Sequence, residues 1–214
     1  DHGHVVRGYL GVNIQDVQPA MAAHFGLDEN AGALVADVVP DSPAEAAGLK
    51  AGDVVVEFGG KKIKDSRHLK LIVGQSAPNQ GYDLEVNRGG KVKSLEVSLD
   101  ELSDNGPQWA NHSPRSSQSY WPDDMKLEDL TPELRRQYQI PSRVEGVLVT
   151  GVKQGGSAWQ AGIRPGAVIH EINRLPVSSV DDLAKIQLNE KGTLARVWFN
   201  GGSTYRVIQN DPLG

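Results

Sequence analysis

The sequence predicts a mainly β protein in which one small domain, made of antiparallel strands with two short helices, occurs twice. Three observations lead there. Residues 32–69 align without gaps on residues 146–183, and eleven of the 38 positions are identical, among them Gly32 with Gly146, Gly48 with Gly162, Gly52 with Gly166 and Leu69 with Leu183. Short Val- and Leu-rich runs recur at matching places in both copies, as buried strands require. Gly-containing turns separate alternating runs near the end of each copy, the mark of a hairpin.

The elements follow in chain order. Ala33 to Val38 and Val147 to Val152 read as strands, as do Asp53 to Phe58 and Ala167 to Ile172. Between the strands of the first copy, Ser42 stands at a cap position, Pro43 in the first turn, Glu45 three residues after the cap and Gly48 at a left-handed stop, which together predict a short helix over 42–47. A second helix starts near Asp65 or Ser66, with Leu69, Ile72 and Val73 on one apolar face. Its counterpart is Ser179 to Leu188. Arg88-Gly89-Gly90 and Asn200-Gly201-Gly202 then close one hairpin in each copy. With the register moved by one residue the match continues upstream, where Asp16, Pro19, Phe25 and Leu27 meet Asp129, Pro132, Tyr138 and Ile140.

A chain of 214 residues suits two compact domains. Their expected limits are 1–100 and 125–214, joined by a linker over 101–124 rich in Ser, Pro and Asn. Trp109, Tyr120 and Trp121 leave two readings of that linker, loose throughout or docked at one end. The chain begins at Asp1, as a processed product or a fragment would. No apolar run approaches the roughly 18 residues of a membrane span. With 38% hydrophobic and 23% charged residues the composition is that of a folded globular protein. The absence of cysteine removes disulfides, thiolate nucleophiles and Cys-based metal sites. A net charge of -5 with no strongly basic half argues against a nucleic-acid partner.

Catalytic constellations fail one by one. Ser157 and Ser203 follow Gly pairs but lack the second Gly of a nucleophile elbow. Lys61 lacks the spacing of a phosphate loop, and the dinucleotide fingerprint is absent. His2 and His4 could share a metal ion but lie at a terminus, and His170-Glu171 lacks the second His of a zinc helix. The expectation is therefore no catalytic residue, no metal and no cofactor in this chain.

The segment Arg7-Gly8-Tyr9-Leu10-Gly11-Val12, continued by Ile14, carries the positive signal. Leu10, Val12 and Ile14 alternate along a strand, while Gly8 and Gly11 permit a tight loop before it. Such a loop can aim backbone N–H groups at an anion, with the charge of Arg7 beside it. An extended peptide could pair along the strand edge, its terminal carboxylate in the loop and its last side chain against Leu10, Val12, Ile14, Leu69, Ile72 and Val73. The same apolar residues would serve equally as plain core. Arg7 has two readings, orienting the carboxylate or standing as a solvated charge.

Tyr9-Leu10-Gly11-Val12 resembles the carboxylate-binding loop of PDZ domains. Gly48-Leu49-Lys50-Ala51-Gly52-Asp53-Val54 resembles their turn after the first short helix, repeated as Gly162-Ile163-Arg164-Pro165-Gly166-Ala167-Val168. The order of elements resembles the permuted bacterial PDZ arrangement, a partly open barrel or sandwich, and two such domains are similar to the C-terminal half of HtrA (Deg, or Do-like) envelope serine proteases. The resemblance implies a serine endopeptidase whose catalytic domain precedes residue 1, an oligomer, and a periplasmic location. It also implies a first domain that binds hydrophobic or C-terminal segments of unfolded proteins and a second that serves assembly or regulation. A free-standing PDZ adaptor and the PDZ pair of a membrane metalloprotease are the other readings.

The two copies differ at the loop. Tyr9 to Val12 stand opposite Pro122, Asp123, Asp124 and Met125. Pro122 has no N–H to give, and the two aspartates would place like charge where a carboxylate must sit. The first copy is thus expected to bind peptide and the second not to bind a free C-terminus, with Met125 and Leu127 as core.

Overall fold

The computed structural model describes residues 7–27, 31–101, 124–186 and 192–209. The chain divides into two compact units, Asp1–Gln108 and Trp109–Gly214. In the first unit, β1 (Gly8–Tyr9) leads into β2 (Val12–Asp16), α1 (Pro19–Ala22) with a 3₁₀ turn over Ala23–Phe25, and β3 (Ala33–Val38). Then come α2 (Pro43–Ala46), β4 (Val54–Phe58), β5 (Lys61–Lys62), α3 (Ser66–Gln75), β6 (Gly81–Arg88), β7 (Lys91–Ser98) and β8 (Asp100–Glu101). All pairings are antiparallel, in the order β2-β3-β4-β6-β7 with β5 on β4, while β1 pairs separately with β8.

The second unit repeats the plan. It runs β9 (Met125–Asp129), α4 (Pro132–Gln137), β10 (Val147–Val152), α5 (Ser157–Gln160), β11 (Val168–Ile172), β12 (Leu175–Pro176), α6 (Val180–Ala184), β13 (Thr193–Phe199) and β14 (Gly202–Ile208). Its sheet order is β14-β13-β11-β10-β9, with β12 on β11. The duplication extends to the irregularities. The β2–β3 ladder skips Ala36 and the β9–β10 ladder skips Thr150; β4–β6 skips Val56 and β11–β13 skips His170. These are the same places in the two copies, so the bulges belong to the shared plan.

Local chemistry explains the elements. The Ser42 hydroxyl accepts the Glu45 amide at 3.3 Å to start α2, and Gly48 stops it at φ +79°. The Glu45 carboxylate reaches back to the amide of Asp41 at 2.8 Å rather than to that of Ser42. Both hairpins use two-residue loops with positive φ at each position, Gly89-Gly90 and Asn200-Gly201, the geometry that matches strand twist. Each unit also has one helix more than the two expected. The reason lies in Pro19 and Pro132, which occupy first-turn positions where a missing N–H costs nothing; Thr131 caps α4 by accepting from the Leu134 amide.

One core in the first unit gathers Leu10, Val35, Val55, Phe58, Leu69, Leu84 and Val97. In the second unit, one cluster holds Met125, Leu127, Val149, Ile169 and Leu183, and another sets Trp198 with Ile140, Val144, Leu148 and Val168. Glu101 is paired within β8, and Asp124 is buried in the second unit. The rest of the expected linker, with Trp109, Tyr120 and Trp121, lies outside the described residues, as do His2 and His4.

Candidate functional site

In the first unit β2 is an edge strand, paired on one side by β3 and, among the described residues, by no strand on the other. The loop before it presents one polarity inward. The Leu10 carbonyl accepts from the Ala44 amide and the Gly11 carbonyl from the Val39 amide, both at 2.9 Å. No hydrogen bond between described residues uses the N–H of Leu10 or Gly11. Gly11 takes φ +80°, and a β-carbon on it would fall 2.2 Å from that of Ser42. Gly8 is required for a different reason: a β-carbon there would lie 2.6 Å from the Val73 carbonyl and 3.0 Å from that of Ser76. Its bare backbone lets β1 pack on the C-terminal end of α3.

The far end of β2 is tied to the other end of the same helix. Asp16 Oδ1 accepts from both the amide and the hydroxyl of Ser66, at 2.9 and 2.6 Å. These hydrogen bonds hold the Asp16 carboxyl below its ordinary range, and the charges of Arg67 and Lys70 add to the effect. The β1–β2 segment and helix α3 are therefore held together at two points, by Gly8 of β1 against the helix C-terminus and by Asp16 of β2 on the helix N-terminus.

The residues singled out from the sequence sort into three groups. Leu10, Leu69, Ile72 and Val73 are 4, 1, 7 and 8% exposed and form part of the core beneath the strand and helix. Val12 and Ile14 pack on that core half-buried. Arg7 is exposed, while Tyr9 is half-buried in β1.

The PDZ domain family profile matches residues 8–99 and, in a second form, residues 148–196. Both units are PDZ domains. Over the chain as a whole, a probable periplasmic serine endoprotease DegP-like protein of Marinomonas sp. (strain MWYL1) is 38% identical across 86% of this chain and 38% of its own length. A namesake from Chlamydia muridarum is 32% identical across 96% of this chain and 40% of its own length. The chain thus spans about two fifths of the relatives it matches. A solved HtrA-type protease, AlgWS227A with decapeptide, shares 34% identity over 50% of this chain and 32% of its own, with a TM-score of 0.47.

The second PDZ domain departs from the first at the loop. Its strand β9 is also an edge among the described residues, but Met125 and Leu127, opposite Val12 and Ile14, are fully buried. The sequence suggests Asp124 as a bare charge facing a ligand; the structure instead turns its carboxylate inward. Asp124 Oδ2 accepts from the Ala158 amide at 2.7 Å and from the Ser157 hydroxyl at 3.1 Å, capping α5. In the first PDZ domain the matching amide, of Ala44, is taken by the Leu10 backbone carbonyl. The swap is reciprocal: Gly11 faces Ser42 in one domain, and Asp124 faces Gly156 in the other, where a β-carbon on Gly156 would sit 2.5 Å from the Asp124 carboxylate. The side chain that caps the short helix comes from opposite partners in the two domains. Pro122 and Asp123 lie outside the described residues.

Asp16, Ser66, Ser42 and Ala44 shape this site and were not among the residues read as functional from the sequence. One signal for Asp16 was present. Asp129 matches it in the repeat, and its Oδ1 likewise accepts a first-turn amide, that of Val180, at 2.7 Å.

Proposed function

We propose that the first PDZ domain binds the hydrophobic C-terminal segment of a polypeptide, which adds to the edge of β2 with its carboxylate on the amides around Leu10 and Gly11. The observation that carries this reading is the polarity of that loop: its carbonyls are used within the fold and, among the described residues, those two amides are not. Backbone pairing discriminates little between sequences, so selectivity rests on the ligand's apolar end, at ~0.8 kcal/mol per buried methylene. Arg7, Gly8, Tyr9, Gly11, Val12 and Ile14 border this site, and Leu10, Leu69, Ile72 and Val73 supply its floor.

The second PDZ domain does not take a free C-terminus in this proposal; it serves assembly or regulation. Support comes from Asp124, whose carboxylate occupies the Ala158 amide, and from the burial of Met125 and Leu127. Similarity to DegP-like periplasmic serine endoproteases supports placing the chain in the periplasm as the peptide-sensing region of such an oligomeric protease, with catalysis in another domain of the longer protein.

Isothermal titration of the full chain with an apolar-ended peptide tests the reading. The expected result is one site per chain with a dissociation constant of about micromolar, ~8 kcal/mol of binding free energy, and loss of at least tenfold when the terminal carboxylate is amidated. Equal binding of acid and amide would refute the role given to the loop.

A further inference from the structure

Positive charge gathers near Asp16, at the end of β2 remote from the carboxylate loop, where the charges of Arg67 and Lys70 act on that carboxyl. Lys64, Arg67 and Lys70 are exposed, and none forms an ion pair with a described residue. They border the last residue of β2 by position. Asp16 pairs with Ala33, the neighbouring Gly32 amide donates to the Lys64 carbonyl at 3.1 Å, and Ser66, bound to Asp16, begins the helix that carries Arg67 and Lys70. Among the described residues, two acids of this region, Asp16 and Asp65, are engaged as caps of that helix, Asp16 on Ser66 and Asp65 on the His68 amide at 2.7 Å.

The second PDZ domain serves as an internal control, because the repeat places Ser178, Asp181 and Ala184 opposite Lys64, Arg67 and Lys70. The shared fold therefore does not require positive charge at these positions. The chain as a whole is acidic, at -5, so the patch runs against its background.

Resting on the peptide reading above, the geometry sets a direction. A ligand whose carboxylate lies at Leu10 and Gly11 must run its upstream residues along β2 toward Asp16. The five residues of β2, at about 3.3 Å each, bring roughly the fourth to sixth ligand residue from the C-terminus to this cluster. We infer that the first PDZ domain selects peptides that carry acidic residues upstream of an apolar C-terminus, through Lys64, Arg67 and Lys70. Exposed pairs are individually weak, but two or three acting together amount to roughly tenfold in affinity, and salt screens them.

Fluorescence anisotropy on the full chain tests this with three labelled peptides that share one apolar, free-acid C-terminus and carry Glu, Gln or Lys at the fourth to sixth residues from it. The Glu peptide is expected to bind about tenfold more tightly than the Lys peptide at low salt, with the gap closing near 0.5 M salt. The double variant Arg67→Asp, Lys70→Glu, whose first change installs the residue type of Asp181, is expected to reverse the order. Equal affinities for the three peptides overturn this inference and leave the groove standing. Absence of binding by all three overturns the groove reading and this one with it. Equal affinities together with binding to anionic lipid vesicles that is lost in the double variant would reassign the cluster to a membrane surface and also overturn the inference.

Discussion

Two residues account for much of what separates the domains. Asp124 gives α5 its cap from outside the helix, where Ser42 gives α2 its cap from within. Asp124→Gly should cost about 1–2 kcal/mol, because the Ala158 amide is left buried without its acceptor. Adding Gly156→Ser supplies a hydroxyl for the Trp159 amide, as Ser42 does for that of Glu45, and should recover only part of that loss in a urea melt. His170 makes a second contrast. It stands where the first domain has Val56, its Nε2 is buried without a hydrogen-bond partner among the described residues, and burial, aided by Arg196, pushes its pKa down to about 3. The folded state thus binds the proton later than the unfolded chain, whose imidazole titrates near 6.5. Stability contributed by the neutral form is complete above pH 6.5 and is lost as the pH falls toward 3. His170→Val should remove that acid sensitivity, seen as a smaller drop in the melting temperature of the second domain between pH 7 and pH 4.5. An unchanged drop would show that His170 does not set it.

At the scale of elements, the β1–β2 segment is held to helix α3 at two points, and Asp16 is the polar one of the two ties. Asp16→Ala should lower stability by ~1 kcal/mol and weaken peptide binding, whereas Ser66→Ala, which keeps the amide bond to Asp16, should do less of both. Because its hydrogen bonds keep the Asp16 carboxyl below its ordinary range, this tie is intact above that range and loosens as the pH drops through the folded value, well below neutrality. Hydrogen exchange along β2 at pH 3 and pH 7 checks this: faster opening at low pH is expected in the native chain and absent in Asp16→Ala.

The helices and hairpins show what was legible in the sequence. The Ser42-Pro43-Glu45-Gly48 signature and the paired turn glycines act over four or five residues, so local chemistry suffices to place them. The β1–β8 pairing was not legible, because it joins Gly8 to Glu101 with no periodic pattern on either side. Helices α1 and α4 were missed because each is short and starts at a proline, which reads more readily as a turn. The site divides in the same way. Its loop was visible as Gly and apolar spacing, but the burial of Leu69 and the inward turn of Asp124 depend on packing partners more than thirty residues away in the chain.

For the molecule as a whole, the proposed function divides the labour of a duplicated fold: the first copy leaves the Leu10 and Gly11 amides unused between described residues, and in the second the Asp124 side chain caps the short helix. A ligand that binds one domain stabilises only that one, by about 2.7 kcal/mol at a hundredfold excess over its dissociation constant. Peptide should therefore raise the melting transition of the first domain and leave that of the second in place, which calorimetry of the full chain can resolve. The most direct measurement is an amide NMR titration of the full chain with a free-acid apolar peptide. The largest shifts are expected at the amides of Leu10 and Gly11, continuing along β2, with those of β9 unmoved; shifts centred on β9, or none at Leu10 and Gly11 on saturation, would contradict the proposed site.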